Sequence, residues 1–313
     1  MPFHPRHALC ILGIALMTSL SAPSHAGNTG SFALRDQPDH LAMLPLAPGE
    51  VVSLAAYDPD TLQLLSVQWH IEAGAVAHGP RDARWKAPEK PGVYPLVGTA
   101  KRGDKTYRRQ LNAFVTVPAP VARDGHINGY RVGRYPALMA ANPRHSVSRS
   151  SRTPADLPAG FIKLDSGSRN AQLSRYFTLG QFETKDGARA EKYMFLSPRL
   201  ITKLERIVDA LNAEGCDANG LRIMSGYRTP AYNAGIGNKT SLSRHTYGDA
   251  ADILADDWNR DGAITQADAK ILYRIADKID QTTDLTGGLS LYKPNSAHSW
   301  FVHVDARGKA SRW

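Results

Sequence analysis

The run Ser243-Arg244-His245-Thr246-Tyr247-Gly248-Asp249-Ala250-Ala251-Asp252 decides how this chain is read. It sets an imidazole and a carboxylate seven residues apart, with small residues between them. Gly248 and Ala250 leave room for the backbone to fold back, so that His245 and Asp252 can meet at one ion. A second imidazole stands far downstream, at His303 of Trp300-Phe301-Val302-His303-Val304-Asp305. That stretch reads as an apolar strand, and a period of two puts Phe301, His303 and Asp305 on one face. Two His and one Asp make a three-ligand zinc set with the fourth position open, which is how catalytic zinc sites are built. A lone histidine on a strand is more often structural than ligating, so the joint pattern carries the argument.

The flanking text, from Phe161 to the C-terminus, mixes helices and short strands without a βαβ rhythm, which predicts an α+β fold. Ser197-Pro198 offers an N-cap and a proline in the first helical turn. Leu200, Leu204, Ile207, Val208 and Leu211 then share a helical face, and Gly215 ends the run. Leu221 to Met224 reads as a strand leading into the turn Ser225-Gly226-Tyr227-Arg228-Thr229-Pro230. Strands are expected at Ala250–Leu254, Leu289–Tyr292 and Trp300–Ala306, and a helix over Thr265–Asp280.

Three pieces carry a family resemblance: Ser-Gly-Tyr-Arg-Thr-Pro at 225–230, Ser-x-His-x-x-Gly-x-Ala-x-Asp at 243–252, and Phe-Val-His-Val-Asp at 301–305. With them the C-terminal region resembles the zinc D-alanyl-D-alanine carboxypeptidases and murein endopeptidases of the Hedgehog/DD-peptidase fold. Gly287-Gly288 and the ending Arg312-Trp313 look most like the murein endopeptidase subgroup. The resemblance implies zinc on His245, Asp252 and His303, and peptidoglycan stem peptides as substrate. It also implies that Arg228 contacts a peptide carbonyl or carboxylate, a task suited to a guanidinium fork. Many relatives carry a general base two or three residues before the last ligand. Here those positions are Phe301 and Trp300, neither of which takes a proton. Asp305 and His298 remain as candidates to activate water, and Asp305 could instead hold an imidazole ligand from behind.

A second motif, Asp257-Trp258-Asn259-Arg260-Asp261-Gly262-Ala263-Ile264-Thr265-Gln266-Ala267-Asp268, has the spacing of a calcium loop. Asp257, Asn259, Asp261, Ala263 (through its carbonyl) and Asp268 would be the donors, with Gly262 at the sharp turn. The expectation is a structural Ca2+ beside the zinc site. The competing reading is an acidic turn that caps the helix after Thr265.

Residues 1–26 read as a signal peptide: Arg6, an apolar stretch from Ala8 to Leu20, and Ser24-His25-Ala26 as a small-x-small cleavage site. The apolar run is too short to span a bilayer, so no integral membrane segment is expected in the mature chain, and periplasm or cell envelope is the expected place. Processing lowers the formal charge from +9 to +8, because Arg6 is the one charged residue removed. That basicity suits an anionic wall polymer, and no motif supports nucleic acid. Without Cys10, only Cys216 remains, so no internal disulfide can form.

Between the leader and the peptidase-like region, residues 45–118 read as short strands rich in Val, Leu and aromatics, bounded by turns such as Lys90-Pro91-Gly92. They predict a small immunoglobulin-like β-sandwich with Trp69 and Trp85 in or near its core. Residues 119–160 read as a linker, rich in Ser and Arg from Asn142 to Arg152, with Ile127–Tyr135 as a piece expected to pack on a domain. The peptidase domain is then 161–313. Two functions compete: a zinc peptidase cutting stem or cross-link peptides, and a metal-containing peptidoglycan-binding module without turnover. Oligomeric state is not readable from the sequence.

Overall fold

The computed structural model describes residues 29–34, 39–78, 83–119, 124–135, 160–238 and 243–313. The signal-peptide expectation and most of the linker fall outside these residues. Among the described residues no helix is long and apolar enough to cross a membrane.

Two helices back the C-terminal region. The helix Pro198–Ala213 starts on Pro198 after Ser197 and buries Leu200, Leu204, Ile207, Val208 and Leu211. The chain leaves it through Gly215 at φ +82°, the left-handed turn that glycine adopts without strain. The helix Gln266–Thr282 begins with a capping box, Thr265 with Asp268, and buries Leu272, Ile275, Ala276 and Ile279. The two helices pack on each other and lie behind a five-stranded sheet. Its strand order is Ile223–Ser225, Ala250–Leu254, Phe301–Asp305, Gly288–Tyr292, Ser311–Arg312. Ala251, Ile253, Val302, Val304 and Leu289 join the helices in one core. By the strand period, Asp252, His303 and Asp305 occupy the opposite face.

The N-terminal part is all β. The hairpin of Gly92–Arg102 and Lys105–Val115 forms the main sheet, flanked by Val67–Ile71 and, in parallel pairing, by Thr29–Gly30 and Met43–Leu46. Two three-stranded sheets complete it. All three share a core that holds Trp85, Leu96, Leu111 and Ala113. Trp85 is fully buried with its indole N–H donating to the Ala73 carbonyl at 2.9 Å. Trp69 is half-buried, edge-on to Phe32. Strand pairing starts at Thr29, well ahead of residue 45, because Phe32 and Leu34 supply apolar side chains to the same core.

The two regions meet through side chains and backbone. Leu41, Met43 and Phe114 lie in the larger, C-terminal core. Backbone N–H groups of Ala42 and Met43 donate to the Leu173 carbonyl at 2.8 and 3.1 Å. Of the linker, residues 124–135 form a small hairpin, His126–Ile127 with Tyr130–Arg131, whose Ile127 and Tyr130 are buried in that larger core together with Val132 and Tyr135.

Candidate metal centre

His245 sits in the 3-10 turn Arg244–Tyr247, which Gly248 closes at φ +71°. Its ring is buried, and Nδ1–H donates to the Gly226 carbonyl at 2.7 Å. That bond fixes the tautomer and leaves the Nε2 lone pair free to ligate. Burial holds the His245 pKa below the usual histidine value, so the ring is neutral.

Asp252 and His303 face each other on neighbouring antiparallel strands. Asp252 Oδ1 lies 2.9 Å from His303 Nδ1 and 3.2 Å from His245 Nε2, and the two ring nitrogens are 3.3 Å apart. Ligands at about 2.0–2.1 Å around a tetrahedral zinc stand about 3.3–3.4 Å from one another, so this donor triangle fits the ion closely. Among the described residues it is the one group of three or more His, Cys, Asp or Glu that converges in this way.

The far side of each ligand is also held. His303 Nε2 faces Asp305 Oδ2 at 3.4 Å. Burial disfavours the charged His303 ring, but the Asp252 and Asp305 carboxylates outweigh it and raise its pKa. Burial likewise works against ionised Asp305, yet His303 and Arg307 hold its carboxyl far below the usual range. Asp305 Oδ1 accepts from the Gly288 N–H at 2.8 Å and the Arg307 N–H at 3.1 Å, while the Arg307 guanidinium grips both oxygens. Asp252 Oδ2 binds Arg228, whose Nε–H donates to Ser225 Oγ at 2.8 Å.

His245, Asp252 and His303 line a cavity of about 610 Å³. Its lining carries three cations: Arg228, Arg244, itself tied to the buried Asp249, and Arg307, which lies 5.8 Å from the Trp313 ring. It also carries three aromatic rings. Tyr292 stacks on Phe301 with centroids 4.5 Å apart, and the Trp313 ring lies 5.3 Å from His303 while its indole N–H donates to the Tyr292 hydroxyl at 2.7 Å. The sequence reading assigned no role to Arg244, Arg307, Tyr292 or Trp313. Their signal was proximity to quoted motifs, which names neighbours without naming faces.

Two expected sites are placed differently. His298 does not line the cavity: its Nδ1–H donates to the Ser299 carbonyl at 2.9 Å, and its ring packs edge-on against Phe301. The loop 257–268 does not gather its carboxylates around one point, and the structure gives no support to Ca2+ there. Asp257 accepts from the N–H groups of Asp261 and Gly262 at 3.0 and 2.9 Å, and Asp261 accepts from Ala263 at 2.9 Å. Asn259 bonds to Asp261, and Asp268 accepts from the N–H groups of Asn259 and Thr265 at 3.2 and 2.8 Å. Asx-turn and capping bonds account for the placement of these oxygens without an ion. Cys216 is a half-buried free thiol with its pKa raised by burial, as suits a bystander.

Residues 175–274 match the family model described as Peptidase M15. Over these residues the chain is similar to the M15 peptidases. The match includes Arg228, His245 and Asp252 and ends before His303, which sheet pairing returns to the same site. The M15 peptidases are zinc-dependent, in keeping with the His/Asp/His donor set. No curated protein matches the chain.

Proposed function

We propose that this protein is a zinc metallopeptidase that hydrolyses peptide bonds in the stem or cross-link peptides of peptidoglycan, acting as an exported envelope enzyme. The observation that carries this reading is the buried donor triangle of His245 Nε2, His303 Nδ1 and Asp252 Oδ1 at the wall of an open cavity. Zinc bound there supplies Lewis-acid polarisation of a peptide carbonyl and activation of water. The chain's own residues do the rest. The Gly226 carbonyl and Asp305 orient the two imidazoles. Arg228, anchored by Asp252 and Ser225, presents its remaining N–H groups to a substrate carbonyl or carboxylate. Asp305 acts as a positioning residue, since its lone pairs are already engaged by His303, Gly288 and Arg307. The N-terminal β region, read as an immunoglobulin-like sandwich, would set the cavity against the wall.

One observation favours the second reading, a metal-containing binding module. Beyond the three donors, no carboxylate or imidazole side chain lines the cavity among the described residues. Digestion of purified sacculi separates the two. The zinc-loaded full chain is expected to release new muropeptides, resolved by mass, that His245→Ala does not. Intact sacculi with zinc retained by the protein would give the binding module the better claim.

A further inference from the structure

The site has a support that comes from outside the M15 segment. Tyr135, in the connector before that segment, is 1% exposed, and its hydroxyl donates to the Thr246 carbonyl at 3.1 Å. The same oxygen lies 2.6 Å from the hydroxyl of Tyr227, also 1% exposed. A phenol has one proton to give. With Tyr135's committed to Thr246, Tyr227 donates to Tyr135. The result is a buried chain from Tyr227 through Tyr135 to the Thr246 carbonyl.

Its two ends lie on the two turns that frame His245. Tyr227 stands between Gly226, whose carbonyl holds His245 Nδ1–H, and Arg228, whose N–H donates to the His245 carbonyl at 3.1 Å. Thr246 directly follows His245. The connector is itself fastened at this place: Ala231 N–H donates to the Val132 carbonyl at 3.3 Å, and the Tyr135 ring packs edge-on against Phe161, Phe195 and Tyr247. At Gly133, with φ +91°, an added Cβ would come within 2.6 Å of the Ala231 nitrogen, so the connector's backbone lies directly on the turn after Arg228.

We infer that Tyr135 is a positioning residue of the metal centre, and that the connecting hairpin is a working part of the peptidase unit. This rests on the zinc-peptidase reading for the presence of the metal. Removing one hydroxyl leaves the Tyr227 O–H and the Thr246 carbonyl unpartnered in a dry core, so both turns relax around His245. Partners that orient a ligand typically govern metal affinity tenfold to about a hundredfold.

The test uses the full chain with Tyr135→Phe, which keeps the ring and its packing. Zinc affinity is read by competition with a chromophoric chelator, and ligand geometry by the visible spectrum of the cobalt-substituted protein. The control is Tyr130→Phe, which removes a phenol of the same hairpin that donates to Asp186 at 2.5 Å and not to the site's turns. The expected result is about a tenfold or greater loss of zinc affinity and a changed cobalt spectrum for Tyr135→Phe, with neither in the control. Parent-like zinc affinity and spectrum in Tyr135→Phe, or equal losses in the control, would overturn the inference. Should Tyr135→Phe fail to fold, Tyr227→Phe breaks the same chain while leaving the Tyr135–Thr246 bond. A smaller loss is expected there, and parent-like binding counts against the inference. A parent protein that binds no zinc would instead sink the metallopeptidase reading, and the positioning role with it.

Discussion

His303 and Asp252 face each other across one antiparallel strand pair, with Nδ1 and Oδ1 2.9 Å apart. The register therefore sets the candidate metal centre. A slip by one residue would turn His303 into the helix-backed core and bring Val302 or Val304 to the site. The pair also explains why Asp252 can serve two groups: Oδ1 points at the imidazoles and Oδ2 at Arg228.

Asp252→Asn tests this division of labour. The amide keeps the shape but removes the charge that both imidazoles and Arg228 share. Zinc affinity is expected to fall by more than tenfold, because a neutral amide is a poor zinc ligand. Equilibrium dialysis at pH 7.5 reads the outcome, and parent-like retention would remove Asp252 from the ligand set.

The two imidazoles differ in protonation, and zinc uptake should reveal it. His245 is held neutral by burial, whereas His303 has its pKa raised by the two carboxylates that outweigh its burial. In the metal-free protein, then, His303 carries a proton more than half of the time at about pH 6.5. Zinc must displace it, so binding at that pH is expected to release between about half a proton and one, falling toward zero as pH rises past the folded His303 pKa. Calorimetry in buffers of different ionisation enthalpy counts the protons. The same sign governs stability: the His303 interaction is fully present below about pH 6.5 and is lost as pH rises through its raised pKa.

Asp305→Asn distinguishes a positioning residue from a base. The His303 contact and the Arg307 grip make the carboxylate a strong acceptor held well below its ordinary pKa. The amide is expected to lower zinc affinity or turnover by about tenfold to a hundredfold while leaving the shape of the pH–rate profile intact. Loss of the acidic limb of that profile would return Asp305 to the role of base. Because its folded pKa is depressed, Asp305 also stabilises the fold above the unfolded value of about 3.9, and that contribution is lost on further acidification.

Much of this site is legible in the sequence. The spacing of His245 and Asp252, and the face shared by His303 and Asp305, follow from residue type and strand period. The partner of each oxygen does not. The sequence leaves open that Gly288 and Arg307 reach Asp305, and that the His298 ring packs against Phe301. The loop 257–268 shows the same limit, because Asp and Asn at those spacings suit an ion or a set of Asx turns equally well. Tyr135 ends the piece Ile127–Tyr135, which the sequence expects to pack on a domain. Which turns it would hold is a tertiary fact, set by Gly133 lying on Ala231.

Gly248 gives the most local test of how the sequence builds the site. Its φ of +71° lies in the left-handed region, where a side chain costs roughly 1–2 kcal/mol. An added Cβ would also stand 2.2 Å from the Phe195 carbonyl oxygen, a backbone atom that no rotamer change can clear. The same backbone is pinned from the other side, since the Ser197 N–H donates to the Gly248 carbonyl at 2.9 Å. Gly248→Ala is therefore expected to destabilise the fold by more than about 2 kcal/mol, and to shift His245 away from Asp252 as the turn opens. Chemical denaturation measures the first effect and zinc affinity the second. A variant as stable as the parent would mean that the turn has slack and that glycine here is not required by the site.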